Sequence, residues 1–317
     1  MKGATQVSRS AIRLILTGLA LASAAGAAGC GRSGSAASGT GSGGATKLQV
    51  VAAENFWGSI ASQLAGGRAS VRSIIVDPNA DPHTYEPSAQ DARVMVGSNM
   101  AIVNGLGYDN WSSQLLQANP QSGRIVLNVG EVLGLRTGAN QHRWYFPSNV
   151  YAVIDRITAG YQKLDPGHAA FFAEQKQSFE THALARYNAL RREIRARYRG
   201  VPVGYSESIF QGLGEDLGLK LLTPYSFAKA IAEGTDVTAQ DKQTVDVQAR
   251  ERLIEVWIFN SQNVTPDVQR VSQIAHERQI PIATVTETLS PASDSFQQWQ
   301  VAQLEGLMRA LHTATGS

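Results

Sequence analysis

The chain has one cysteine, Cys30, in 317 residues. Internal disulfides are thereby excluded, as is any site built on paired thiolates. Charge is sparse as well. Only 17% of residues are Asp, Glu, Lys or Arg, and no block of like charges occurs, so no nucleic-acid partner is expected. The most basic stretch, "RREIRARYR" (191–199), closes a helical pattern, where bases complement the helix dipole. The longest apolar run, "LILTGLALASAAGAAG" (14–29), is too short and too rich in Ala and Gly to be read as a membrane span. H-E-x-x-H and G-x-S-x-G are both missing, which removes two common signatures of hydrolases.

Lys2, Arg9 and Arg13 precede the apolar run, with no acid among them. A basic start, an apolar middle and small residues at the end read as a secretory signal over residues 1–29. Ala27-Ala28-Gly29-Cys30 resembles the lipobox of bacterial lipoproteins, in which cleavage precedes the cysteine and its sulfur receives a diacylglycerol. The resemblance implies lipidation at Cys30, export, and anchorage to the extracytoplasmic face of the cell membrane. Losing residues 1–29 removes three bases and no acid, so the formal charge of +2 belongs to the export segment. The linker that follows Cys30, up to residue 46, is made almost entirely of Gly, Ser and Ala and is expected to be a flexible spacer.

From Lys47 short apolar runs alternate with helical periodicity. Strands are expected at 48–53, 71–76, 99–105 and 125–129, and again at 201–205, 219–224, 256–260 and 280–285. Helices are expected at 56–66, 88–98 (capped by Ser88), 148–165, 239–254, 266–279 and 295–314. Between Pro166 and Gly200 no glycine or proline follows Gly167, which predicts one helix of roughly 30 residues, about 45 Å long at 1.5 Å per residue. The expected fold is α/β: a lobe over 47–165, a rigid linking helix over 166–200, and a second lobe over 201–317, each lobe carrying a mostly parallel sheet flanked by helices.

In open α/β sheets, ligands bind beyond the carboxyl ends of the strands. Metal-capable residues after such ends are His83, His142, Glu207 and Asp294, two from each half. Two imidazoles and two carboxylates form a competent shell for Zn²⁺, Mn²⁺ or Fe²⁺. The four other histidines, His168, His182, His276 and His312, lie on helices or near the end of the chain and read as surface or capping residues. The five tryptophans read as core.

The segment "DPNADPHTYEPSAQD" (77–91) closely resembles the signature of the zinc/manganese class of solute-binding lipoproteins, the metal receptors of ABC importers. "HRWYFP" (142–147), "SESIF" (206–210), "SDSFQQW" (293–299), "NGLGYDNW" (104–111) and "KLDP" (163–166) extend the likeness over about 47–315. The resemblance implies metal ligation by His83, His142, Glu207 and Asp294, with Tyr85, Glu86 and Trp144 supporting the imidazoles. It implies an extracytoplasmic, monomeric receptor rather than an enzyme, which delivers Mn²⁺, or next Zn²⁺ or Fe²⁺, to an ABC permease. Prolines around His83 would hold that ligand in place before the metal arrives. The chain also departs from the family: Asn140-Gln141 stands where Asp-Pro often precedes the second histidine, and the His/Asp/Glu-rich insertion of many zinc-specific members is missing. The other readings are a metal-dependent adhesin, a receptor for a non-metal solute, or a metallohydrolase, the last disfavoured because four protein ligands leave no open position for water.

Overall fold

β1 (Leu48–Glu54) carries the buried run Val50-Val51-Ala52-Ala53 at its centre, the composition of a strand covered on both faces. Around it are built α1 (Asn55–Ala65), β2 (Ala69–Ile75), α2 (Ala89–Val96), β3 (Met100–Val103), α3 (Asn110–Ala118), β4 (Ile125–Asn128) and α4 (Val129–Val132). The structure, a computed structural model, describes residues 47–80 and 85–317. The expected signal segment, Cys30 and the linker lie outside the described residues, and so does His83.

Helices α5 (Pro147–Leu164), α6 (Ala169–Ser178) and α7 (Ala185–Tyr198) then lead to the second half. That half comprises β5 (Pro202–Tyr205), α8 (Gln211–Asp216), β6 (Lys220–Leu221), α9 (Tyr225–Ala232), α10 (Ala239–Arg250), β7 (Val256–Asn260), α11 (Pro266–Glu277), β8 (Ile282–Val285) and α12 (Phe296–Thr315). The two sheets have the same all-parallel topology, β2-β1-β3-β4 and β6-β5-β7-β8. In each, the chain crosses from one side of the first strand to the other, so each half has a switch point of the kind where α/β folds bind ligands.

Local chemistry sets the element ends. Ser88 and Asp91 form a reciprocal capping box at α2, and Ser295 and Gln298 form another at α12. Thr265 caps α11 and Pro266 opens it, where a missing N–H costs nothing. Gly66 ends α1 at φ 51°, the left-handed conformation that favours glycine.

Strand alternation divides the apolar residues into layers. Val50, Ala52, Met100 and Ile102 face one core; Val51, Ala53, Ala101 and Val103 face another with Met95 and Trp111. The first of these cores continues through Trp144, Ile157, Leu190, Val256 and Ile258 to Leu311, so a single apolar cluster runs through both halves. The five tryptophans are all buried, as the sequence suggested.

The 166–200 segment is not one straight helix. Pro166–His168 is a 3-10 turn, and between α6 and α7 the residues Phe179–Ala183 form a π turn, closed by the Leu184 N–H donating to the Phe179 carbonyl at 2.9 Å. Phe179 and Leu184, both buried, are five positions apart. In an unbroken α-helix they would point about 140° apart; one wider turn brings both onto the buried face. The strut is also tied to the first half. Phe172 is fully buried and stacks on Tyr161 with ring centroids 5.1 Å apart. Phe172→Ala is expected to cost about 3–5 kcal/mol of stability, readable as a lower urea midpoint with little change in slope.

Candidate metal centre

Two of the anticipated ligands meet. His142 lies at the entrance of a 3-10 turn, Arg143–Tyr145, just before Pro147 starts α5. Its ring is fully buried, at T-shaped contact with Trp144 (centroids 5.4 Å), which in turn stacks on Phe56 at 3.9 Å. Glu207 stands two residues beyond β5, in the second half. Glu207 Oε1 is 3.2 Å from His142 Nε2.

The third member is Glu287, two residues beyond β8, with Oε2 3.5 Å from the same His142 nitrogen. One donor atom from each of these three buried residues lies within 4.8 Å of the others, a grouping able to hold a metal ion. Asp294, the anticipated fourth ligand, is not brought there. It is only partly buried, with its N–H bonded to the Pro291 carbonyl, in the turn just before the α12 cap. Being an acid ahead of the last helix placed it near a cap and not in the cleft.

A signal for Glu287 was present in the sequence. "PVGYSE" and "IATVTE" both end a strand with a hydroxyl residue and then Glu, so the two carboxylates follow the carboxyl ends of two strands, β5 and β8, of one parallel sheet. At the end of β1 the first half also offers Glu54. It remains outside the cluster, where burial and the nearby Asp109 charge push its carboxyl well up.

The supporting residues are specific. Asn260, the last residue of β7, donates from Nδ2 to Glu207 Oε2 and to Glu287 Oε1 (2.9 Å), bracketing the two acids. The Tyr108 hydroxyl, from the "NGLGYD" loop of the first half, donates to Glu287 Oε2 at 3.1 Å. Asp109 holds that loop by accepting from the Asn104 and Gly105 N–H groups, each at 2.7 Å. Of the residues expected to support an imidazole, Trp144 touches His142. Tyr85 instead donates to Asp91 in the α2 cap, and Glu86 is exposed.

Electrostatics follow from this crowding. Burial alone would depress the His142 pKa, but the Glu287 charge and hydrogen bonding to Glu207 and Glu287 outweigh it and push it up to about 9. Burial and then the Glu287 charge raise Glu207. Burial works to raise Glu287 as well, but the His142 charge and hydrogen bonds from His142, Glu207 and Tyr108 leave it below the usual carboxylate range. A proton on His142 thus occupies the place between two acids that a cation would take. It does so imperfectly: His142 Nε2 and Glu207 Oε1 are buried without a hydrogen bond of good geometry among the described residues, although they face each other.

Comparison with known proteins gives the chain its relatives. The iron-binding protein YfeA of Yersinia pestis is 27% identical over 234 residues, covering 70% of this chain and 71% of that protein. The manganese-binding lipoprotein MntA of Halalkalibacterium halodurans is 25% identical over 135 residues, covering 42% of this chain and 45% of that protein. Among solved structures, the Mn-bound periplasmic metal-binding protein of Candidatus Liberibacter asiaticus superposes with a TM-score of 0.69 at 19% identity, covering 84% of this chain and 100% of that one. The periplasmic zinc-binding protein TroA of Treponema pallidum gives 0.68 at 16% identity, covering 84% and 99%. These two show a shared fold. The family model described as zinc-uptake complex component A, periplasmic (ZnuA), matches residues 50–310, and the chain belongs to that family, the metal-binding receptors of ABC importers.

Proposed function

We propose that this protein captures one divalent transition metal ion between its halves, through His142, Glu207 and Glu287 with His83 as the fourth ligand, and delivers it to an ABC permease. The observation that carries the reading is the facing pair of buried, unsatisfied donors, His142 Nε2 and Glu207 Oε1, with Glu287 beside them. Leaving such atoms unsatisfied is costly unless a ligand completes them.

The donors come from loops of both halves, so the ion would tie the halves together, and release would require them to part at this point. Because the core is continuous between the halves, we infer small local shifts on binding rather than a wide hinge motion. Export and lipidation at Cys30 would hold the receptor on the extracytoplasmic face of the membrane, near its permease.

An oxygen-rich donor set favours the harder Mn²⁺, whereas intrinsic affinities favour Zn²⁺. Mn²⁺ is the proposed cargo, with Zn²⁺ and Fe²⁺ as competitors. Calorimetric titration of metal-stripped protein with each ion is expected to give one equivalent bound. No heat and no bound metal with any of the three would refute the reading. Glu207→His is expected to move the ratio of Zn²⁺ to Mn²⁺ affinity toward zinc by about tenfold or more, in a competition titration.

A further inference from the structure

Asn140 stands two residues before His142, in the loop between α4 and the 3-10 turn. Its Oδ1 accepts from the His142 backbone N–H at 3.0 Å and lies 3.0 Å from Nδ1 of the same ring. Its Nδ2 donates to the Ser208 carbonyl at 2.7 Å and to Gln211 Oε1 at 3.1 Å. A backbone N–H can only donate and a carbonyl can only accept, so these two partners fix which end of the amide is which. An acceptor facing Nδ1 requires a proton on Nδ1. The lone pair of the neutral ring is then on Nε2, the atom that faces Glu207 and Glu287.

Ser208 and Gln211 belong to the second half, and Ser208 directly follows Glu207. One amide therefore joins the ring of one ligand to the backbone beside another. The other contact to Nδ1, from Ser208 Oγ, is long at 3.5 Å. Asn140 is only half-buried and lines a cavity of ≈ 290 Å³ together with Ser208, Tyr225 and Lys229, so this link sits at the edge of the centre.

We propose that Asn140 is a positioning residue that does two things at once: it sets the His142 tautomer that presents Nε2, and it latches the His142 loop to the Glu207 turn across the two halves. The affinity part of this proposal rests on the reading that His142 and Glu207 hold the metal. An aspartate at this position could accept from Nδ1 but could not donate to the Ser208 carbonyl, so the amide carries the second role.

Two variants separate the roles. Asn140→Ala removes both, and Asn140→Asp keeps the acceptor while losing the donor. Removing a hydrogen-bond partner of a metal-binding imidazole typically costs about 10–100-fold in affinity, which is the loss of Mn²⁺ and Zn²⁺ affinity expected for Asn140→Ala, with the thermal midpoint of the metal-free protein little changed. Asn140→Asp is expected to recover most of the affinity but to release Zn²⁺ faster than the parent protein in a chelator chase. In metal-free, ¹⁵N-histidine-labelled protein, the His142 Nδ1–H resonance should be protected from exchange in the parent and in Asn140→Asp, and lost in Asn140→Ala. A protected resonance in Asn140→Ala, or Zn²⁺ release from Asn140→Asp at the parental rate, would overturn the proposal. A parent protein that takes no metal would instead refute the metal reading, while the resonance still decides whether Asn140 orients the ring.

Discussion

Glu287→Gln is expected to lower the affinity for Mn²⁺ or Zn²⁺ by at least about a hundredfold, while Asp294→Asn changes it by less than about twofold. Losing a carboxylate proposed to bind the metal should exceed the 10–100-fold typical of a supporting residue. The isostere leaves packing almost untouched, so the loss would report charge and ligation. Asn260 donates to Glu287 Oε1, and a glutamine oxygen would satisfy that donor. The glutamine NH₂ would then point toward His142 Nε2 and offer hydrogens where a cation needs a lone pair. Asp294, by contrast, is partly exposed in the turn before α12 and lies outside the donor grouping. Competition against a chromophoric chelator measures both variants. If Asp294→Asn weakened binding and Glu287→Gln did not, Glu287 would not belong to the donor set.

Metal affinity should also climb steeply with pH. The His142 pKa is raised from 6.5 to about 9 in the metal-free fold. Below about 9 the site therefore carries a proton that must leave before the imidazole can bind a cation. Apparent affinity should rise about tenfold per pH unit between pH 7.5 and 8.5 and level off near 9, with about one proton released per ion, and more steeply below about 7, where Glu207 also takes up a proton. The sign for stability is opposite. A group with a raised folded pKa stabilises the metal-free fold fully below its unfolded value and loses that contribution as pH rises through the folded one. The metal-free thermal midpoint should therefore fall from pH 7 toward pH 9.5, while saturating metal holds it up. Titrations in buffers of different ionisation enthalpy count the released protons, and a pH-independent affinity over this range would contradict the geometry.

Much of this was legible in the chain itself. Buried parallel strands announce themselves as apolar runs, and the Ser88 cap precedes a helix whose sequence carries the reciprocal acceptor. His142 and Glu207 were singled out because each follows a strand end, where α/β sheets direct ligands, and the fold brings the two together. The errors have physical causes as well. Helical periodicity without a proline or glycine reads as one straight helix, but the five-residue step from Phe179 to Leu184 demanded a wider turn. A second acid was sought ahead of the last helix, where an aspartate can also be a mere terminus residue.

The sequence alone determined the alternation of strands and helices, where most of them begin and end, and two residues of the cleft. Those are local properties, set by propensity, capping and side-chain period within a few residues. Only the tertiary structure decided that Glu287 rather than Asp294 faces His142, that Asn260 brackets two acids 53 and 27 positions away, and that Asn140 links the halves. Those contacts join residues far apart in the chain, and their distances exist only once both sheets have packed onto one core.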